Sequence, residues 1–149
     1  MKKNLLTKIR NRKGFTLAEL LIVVAIIGVL VAISIPIFTS QLEKAREATD
    51  EANLRALYAE AASALLTEDT SAKADDIKGA ELTVEKGAND IYTATAVLTL
   101  SQQKDGLEAG VKSVNIAGVD VDSTLFGPEK KIQIVLKSDG TAPSITAVA

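Results

Sequence analysis

KGFTLAELLIVVAIIGVLVAISIPIF, residues 13–38, decides how the rest of the chain must be read. From Leu20 to Phe38 it holds no charged side chain and a single hydroxyl, Ser34. With Phe15 to Leu17 included, the apolar stretch runs from residue 15 to 38. As helix that is roughly 36 Å, enough to cross a bilayer core of about 30 Å. One acid, Glu19, stands near its start. A carboxylate costs about 2.5–3.5 kcal/mol at the centre of a span and less near the interface. A plain membrane anchor gains nothing from it. Two helix-weakening residues follow, Gly28 and Pro36. A membrane helix tolerates such breaks more readily than a soluble one.

The charge is divided along the chain. Residues 1–14 hold six bases (Lys2, Lys3, Lys8, Arg10, Arg12 and Lys13) and no acid. The remainder has 11 bases against 19 acids, a net of −8. Basic residues beside an apolar span stay on the cytoplasmic side, which puts the acidic remainder outside. An acidic exterior does not attract nucleic acid by bulk charge. There is no cysteine and no histidine. A disulfide framework and thiolate metal sites are therefore excluded, and the usual general base is missing. No nucleophile, base and orienting group can be assembled without recourse to Lys or acids, so the chain reads as a non-enzyme with no cofactor.

After the apolar stretch the helical pattern continues. Ser40 to Leu66 contains neither glycine nor proline and is rich in Ala, Leu, Glu and Arg. Leu42, Ala45, Ala48 and Ala52 lead into Leu54, Leu57, Tyr58, Ala61, Ala62, Leu65 and Leu66 at three-and-four spacing. Glu43, Lys44, Arg46, Glu47, Asp50, Glu51, Arg55 and Glu60 are expected on the wet side. The spacing predicts one helix from Thr16 to Leu66, roughly 75 Å long. TEDTSAKADD (67–76) reads as its exit. The period then changes to two, predicting strands over 81–86, 91–100, 111–118 and 131–138, with 144–148 as an edge strand. The expected class is α+β, a long amino-terminal helix packed through residues 54–66 on a small antiparallel sheet.

Three ordinary readings of the apolar stretch compete. A secretory signal peptide is one, with Ala32-x-Ser34 as cleavage site, but the stretch is too long and holds Glu19. A single-span anchor carrying an external binding domain is another, and leaves Glu19 unexplained. A buried core helix is disfavoured by length.

Lys13-Gly14-Phe15-Thr16-Leu17-Ala18-Glu19, behind a basic leader and ahead of a long span, resembles the prepilin signature of type IV pilins and pseudopilins. The resemblance covers residues 13 to about 40 closely and the helix to 66 in general character. It implies a leader, 1–14, removed after Gly14 by a membrane-embedded prepilin peptidase that also methylates the new amino terminus at Phe15. It implies a long helix over 15–66, with a transmembrane and filament-core half (15–38) and an amphipathic half (39–66). A globular sheet domain, 67–149, follows. It also implies that Glu19 pairs with the Phe15 amine of a neighbouring subunit and so fixes register, and that Gly28 and Pro36 mark a segment able to unwind on assembly. The implied function is a structural subunit of a type IV pilus-like filament, a helical homo-polymer. Its partners would be the prepilin peptidase, a platform membrane protein and an assembly ATPase. The precursor would be a single-pass protein of the cytoplasmic membrane, and the product an extracellular fimbrium serving adhesion, motility or secretion. Within the family the alternative is a pseudopilin of a secretion or competence machine. Outside it stands the non-polymerising anchored domain. The family often closes its carboxy-terminal region with a disulfide, which this chain cannot form.

Other candidates are weaker. Asp75-Asp76 and Asp120-x-Asp122 lack the ligand number calcium needs and are expected to be solvated. Gly106 to Gly110 is a turn pair without the Lys-Ser/Thr of a phosphate loop. Lys130-Lys131 is too small a patch for DNA and reads as a solvated strand start. The sequence calls for no metal site. Ala45, Ala48 and Ala52 form a small-residue surface expected to face neighbouring subunits.

Overall fold

A computed structural model describes residues 14–108 and 110–148. The basic leader up to Lys13 lies outside them. Helix α1 runs Leu17–Leu66 without interruption, through both Gly28 and Pro36. Six strands follow: β1 (Ala80–Lys86), β2 (Tyr92–Thr99), β3 (Ser113–Ile116), β4 (Val119–Asp122), β5 (Lys131–Lys137) and β6 (Ser144–Val148). The chain divides into two units, Met1–Thr39 and Ser40–Ala149.

In the first unit every described side chain from Gly14 to Thr39 is exposed. Among the described residues none covers the apolar surface of this segment, which is long and apolar enough to cross a membrane. Ser34 turns its hydroxyl onto the Leu30 carbonyl at 2.7 Å, and Thr39 onto that of Pro36 at 3.0 Å. Their polar groups are thus satisfied inside the helix, as an apolar surround requires.

The second unit is a helix-on-sheet layer. The main sheet has the order β1-β2-β5-β6 and is antiparallel throughout. Registers such as Leu82↔Ala96, Ala96↔Ile134 and Ile134↔Ile145 carry one row of apolar side chains across it. Period-two alternation puts Leu82, Val84, Ala94, Ala96, Leu98, Ile132 and Ile134 on the buried face. They share one core with Leu54, Leu57, Ala61 and Ala64 of α1. These four lie at three- and four-residue steps, a single line down the helix. Phe126, Ile116 and Val121 are also fully buried in that core.

The helix ends where its signals place it. Glu68 takes a left-handed φ of 55°, and Asp69 N–H reaches the Ala64 carbonyl at 3.0 Å. Glu68 N–H bonds to Leu65 at 3.3 Å. Those two bonds make a Schellman cap, in which glycine is the usual residue at the position held by Glu68. Entry into β1 needs Gly79, with φ of 80° and the Thr99 carbonyl 3.2 Å from where a Cβ would stand.

Two expectations are corrected. The strand predicted over 111–118 folds back at Ala117-Gly118 into the β3–β4 hairpin. Both turn residues have positive φ, 50° and 89°. Such a turn usually carries Asn-Gly, so Ala117 hid it. The Asn115 side chain compensates, its Oδ1 accepting Gly118 N–H at 3.0 Å and its Nδ2 donating to Asp120 Oδ1 at 2.8 Å. The second correction concerns the polar face of α1. Glu43 and Asp50 are not wet but 4% and 1% exposed. Ala45, Ala48 and Ala52, the small-residue surface, are exposed, as is Leu42.

Candidate functional site

The first candidate is the start of α1. Gly14, Phe15 and Thr16 precede the helix and are non-helical, and Phe15 is 90% exposed. Thr16 is the amino-terminal cap. Its hydroxyl accepts Glu19 N–H at 3.2 Å. The Glu19 carboxylate reaches back to Thr16 N–H and to the Thr16 hydroxyl, each at 2.8 Å. This is a reciprocal capping box, satisfying donors that the first turn would leave orphaned. It also puts a negative charge at the positive end of the helix dipole. Sequence reasoning singled out Glu19 and passed over Thr16, although Thr16-x-x-Glu19 is the signal for such a box. Glu19 thus sits three residues along the chain from Thr16 but one hydrogen bond from it, on an otherwise uncharged, exposed segment. Gly28 and Pro36 lie further along, away from this turn. Helix α1 continues through them, although Pro36 offers no N–H to the Ala32 carbonyl. A Cβ at Gly28 would meet nothing within 4 Å, so no packing constraint demands glycine there.

The second constellation was not expected. Glu43, Glu47 and Asp50 continue the core line of Leu54, Leu57, Ala61 and Ala64 back toward the amino terminus, with the same alternating four and three spacing. All three accept backbone N–H groups from the loop after β2. Asp50 takes Ser101 N–H at 2.9 and 3.0 Å, the Ser101 hydroxyl at 2.7 Å, and Gln102 N–H at 3.0 Å. Glu43 takes Gln103 N–H at 2.5 Å and Lys104 N–H at 2.8 Å, and is joined by Arg46 at 3.2 Å. Glu47 takes Glu108 N–H at 3.0 Å. Lys44 pairs with Glu108, which holds the ammonium pKa above its usual value through that hydrogen bond and charge.

Burial by itself would raise the Glu43 pKa. The Gln103 and Lys104 amides, with Arg46, outweigh it and hold the carboxyl below its ordinary 4.5. The loop is wound about its own buried Gln102, whose amide donates to the carbonyls of Lys104 at 2.8 Å and Gly106 at 2.7 Å. Its far side is tied down by Gly106 N–H to the Phe126 carbonyl at 2.9 Å and by Lys130 to Asp105 at 3.0 Å. Where a disulfide cannot form, charge-assisted hydrogen bonds fasten this loop to the helix. A cleft of about 390 Å³ beside it is lined by Glu43, Lys44, Lys104, Asp105 and Glu108, charges of both signs.

The remaining candidates disperse. Asp122 caps a turn, accepting Thr124 N–H at 2.8 Å, and Asp120 bonds Asn115, so both serve the hairpin. Asp75 and Asp76 are exposed. Lys130, expected to be solvated, donates to the Thr124 and Phe126 carbonyls at 3.0 and 3.2 Å and is a structural tie. Gly106 and Gly110 have φ of 80° and 97°, as turn glycines do.

Residues 9–35 match the family model described as the prokaryotic N-terminal methylation motif. The type IV major pilin protein PilA of Myxococcus xanthus is 35% identical over 124 residues, covering 83% of this chain and 54% of that protein. The type IV major pilin protein PilE1 of Neisseria gonorrhoeae is 31% identical over 120 residues, covering 71% and 51%. The type IV narrow pilus major component PilA5 of Thermus thermophilus is 49% identical over 45 residues, 30% of this chain and 39% of that one. The chain thus spans about half the length of the first two. No solved structure matches it. The chain thus carries the prepilin-type methylation motif over residues 9–35 and, with one long apolar helix carried into an antiparallel sheet layer, is a relative of type IV major pilins.

Proposed function

We propose that the chain is a structural subunit of a type IV pilus-like filament, assembled through the first half of α1. The single observation that carries this is the setting of Glu19, the one acid between Phe15 and Phe38, in the first turn of an exposed apolar helix directly behind Gly14-Phe15. Cleavage after Gly14 would create a cationic amine at Phe15, four residues from that carboxylate. The peptide bond to be cut precedes the helix, where backbone is free to extend into a protease. The leader would be residues 1–14, the assembling helix 15–66 and the outward sheet domain 67–149.

In a bundle of such helices an unpaired carboxylate is costly and an amine–carboxylate pair much less so. The pair would therefore select one register among otherwise interchangeable apolar contacts. Glu19 would exchange its Thr16 partners for a neighbour's amine, or share them. The exposed Ala45, Ala48 and Ala52 would continue the subunit contact. Gly28 and Pro36 would let the segment between them unwind. Head-to-tail contacts of this kind do not close, so they generate a fibre. The precursor would wait in the cytoplasmic membrane as a single-pass protein and be drawn out by a platform protein and an ATPase.

The test has two arms. The intact mass of the surface form should correspond to a chain beginning at N-methylated Phe15. A chain beginning at Ile35 would indicate a secreted domain, and one retaining the leader an uncleaved anchor. Glu19→Ala should abolish fibres while the protein remains membrane-inserted. Undiminished fibre yield would sink the assembly role.

A further inference from the structure

The dipeptide Asp-Gly occurs twice, as Asp105-Gly106 in the loop after β2 and as Asp139-Gly140 in the turn between β5 and β6. The two steps match in exposure and backbone. Both aspartates are exposed, and both glycines are left-handed, with φ of 80° and 82°. They differ in what restrains them. Gly106 N–H is fixed on the Phe126 carbonyl at 2.9 Å. The Asp105 carboxylate is drawn to Lys130 at 3.0 Å and lies against Gly127, 2.5 Å from where a Cβ there would stand. Lys130 is itself moored on the Thr124 and Phe126 carbonyls. Neither partner in this first step can turn toward the other without breaking those bonds. At the second step the Asp139 carboxylate accepts Thr141 N–H at 2.9 Å. That bond folds the carboxyl back over the intervening Gly140 peptide. Among the described residues, none outside the turn bonds to Gly140 N–H or to the Asp139 side chain.

We propose that Asp139 is a site of spontaneous isoaspartate formation, and that the fold withholds Asp105 from the same reaction. The Gly140 amide nitrogen gives up its proton and bonds to Asp139 Cγ. One carboxyl oxygen leaves as water, and a succinimide ring results. Glycine has no Cβ to hinder the approach. Water then adds to the ring. Addition at the Asp139 main-chain carbonyl breaks its bond to the Gly140 nitrogen, so the backbone now runs through Cβ and Cγ. The water lost is regained, and no oxidant, reductant or enzyme is needed. The rate is set by how often the nitrogen and Cγ meet in line, which positional restraint decides. The product carries one extra methylene in the backbone between Ser138, held to Tyr92 by two bonds of 2.9 Å, and β6. The carboxyl carbon that held Thr141 N–H becomes part of the main chain. None of this rests on the filament reading or on Glu19.

The two steps act as each other's control. The full-length chain is incubated in detergent near neutral pH, digested with trypsin, and mapped by electron-transfer fragmentation, which separates the isomers at equal mass. The peptide beginning at Ser138 should gain isoaspartate at least about fivefold faster than the peptide holding Asp105. In guanidinium chloride the two rates should come within about twofold, because only the fold distinguishes the two steps. Equal rates in the folded chain, or a faster rate at Asp105, would overturn the proposal. So would isoaspartate that forms at Asp139 in guanidinium but not in the folded protein. A difference that persisted undiminished in guanidinium would overturn the protection of Asp105, since neighbouring sequence would then be its cause.

Discussion

Leu17 to Thr39 and Ser40 to Leu66 are two stretches of one helix with opposite fates. The first is apolar on every side and entirely exposed. The second is charged on much of its surface and sends one line of residues inward. A helix that is hydrophobic all round is looking for lipid or for copies of itself, whereas a striped one finds its partner in its own chain. Within the striped stretch there is a further contrast. The inward line is acidic at Glu43, Glu47 and Asp50 and apolar from Leu54 on. The apolar part meets side chains of the sheet, while the acidic part meets backbone amides of a loop. One helical line thus serves two chemistries, because a buried carboxylate is tolerable where several N–H groups converge on it.

The contrast between the two stretches is open to direct attack. Leu57→Ala should lower the stability of the sheet unit by about 2–5 kcal/mol, whereas Ile27→Ala should change it by less than about 0.5 kcal/mol. The chain has no tryptophan, and both tyrosines, Tyr58 and Tyr92, lie in the second unit. Tyrosine fluorescence during urea unfolding in detergent therefore reports on that unit alone. Equal losses from the two substitutions would break the comparison.

Next is the acidic segment. Asp50→Asn puts an amide where three donors converge and should cost about 2–3 kcal/mol in the same titration. The outward Glu51→Gln, which loses only an exposed pair with Arg55, should cost under about 1 kcal/mol.

Glu43 sharpens the comparison through pH. Its carboxyl titrates below 4.5 in the folded protein. The unfolded chain therefore takes up this proton first as pH falls. Its contribution is complete above the unfolded value and disappears as pH drops through the folded one. The gap in thermal midpoint between the parent chain and Glu43→Gln should be constant from pH 7 to about 5 and close below about pH 4. A gap that widened on acidification would contradict the arrangement.

The smallest effect is at the end of α1. Glu68→Gly should raise stability by about 1 kcal/mol, because the left-handed φ of 55° carries a Cβ penalty in a non-glycine residue. A loss there would mean the Glu68 side chain has a role beyond the cap.

How far the sequence carries can be judged residue by residue. The helix ends at Leu66 as the pattern implies, since the spacing persists to that point and glycine and proline are absent. β1, β2, β5 and β6 follow from alternation and turn residues. The β3–β4 turn did not, because Ala117 is a poor turn residue rescued by Asn115 from two positions away. Thr16 is legible as half of a capping box from the Thr16-x-x-Glu19 spacing, a signal the lone charge of Glu19 overshadows. The acids at 43, 47 and 50 were set on the wet side by their chemistry, although their spacing already aligned them with Leu54 and Leu57.

Sequence alone determined that a charge-free stretch from Leu20 to Phe38 cannot be satisfied by water, and that a lone acid in its first turn must have a purpose. Those conclusions rest on transfer free energies and helical periodicity, which are local properties of the chain. Tertiary structure decided which loop would bring its amides to Glu43, Glu47 and Asp50. That depends on contacts between residues some 50 or 60 positions apart. No local rule says where a distant backbone donor will come to rest.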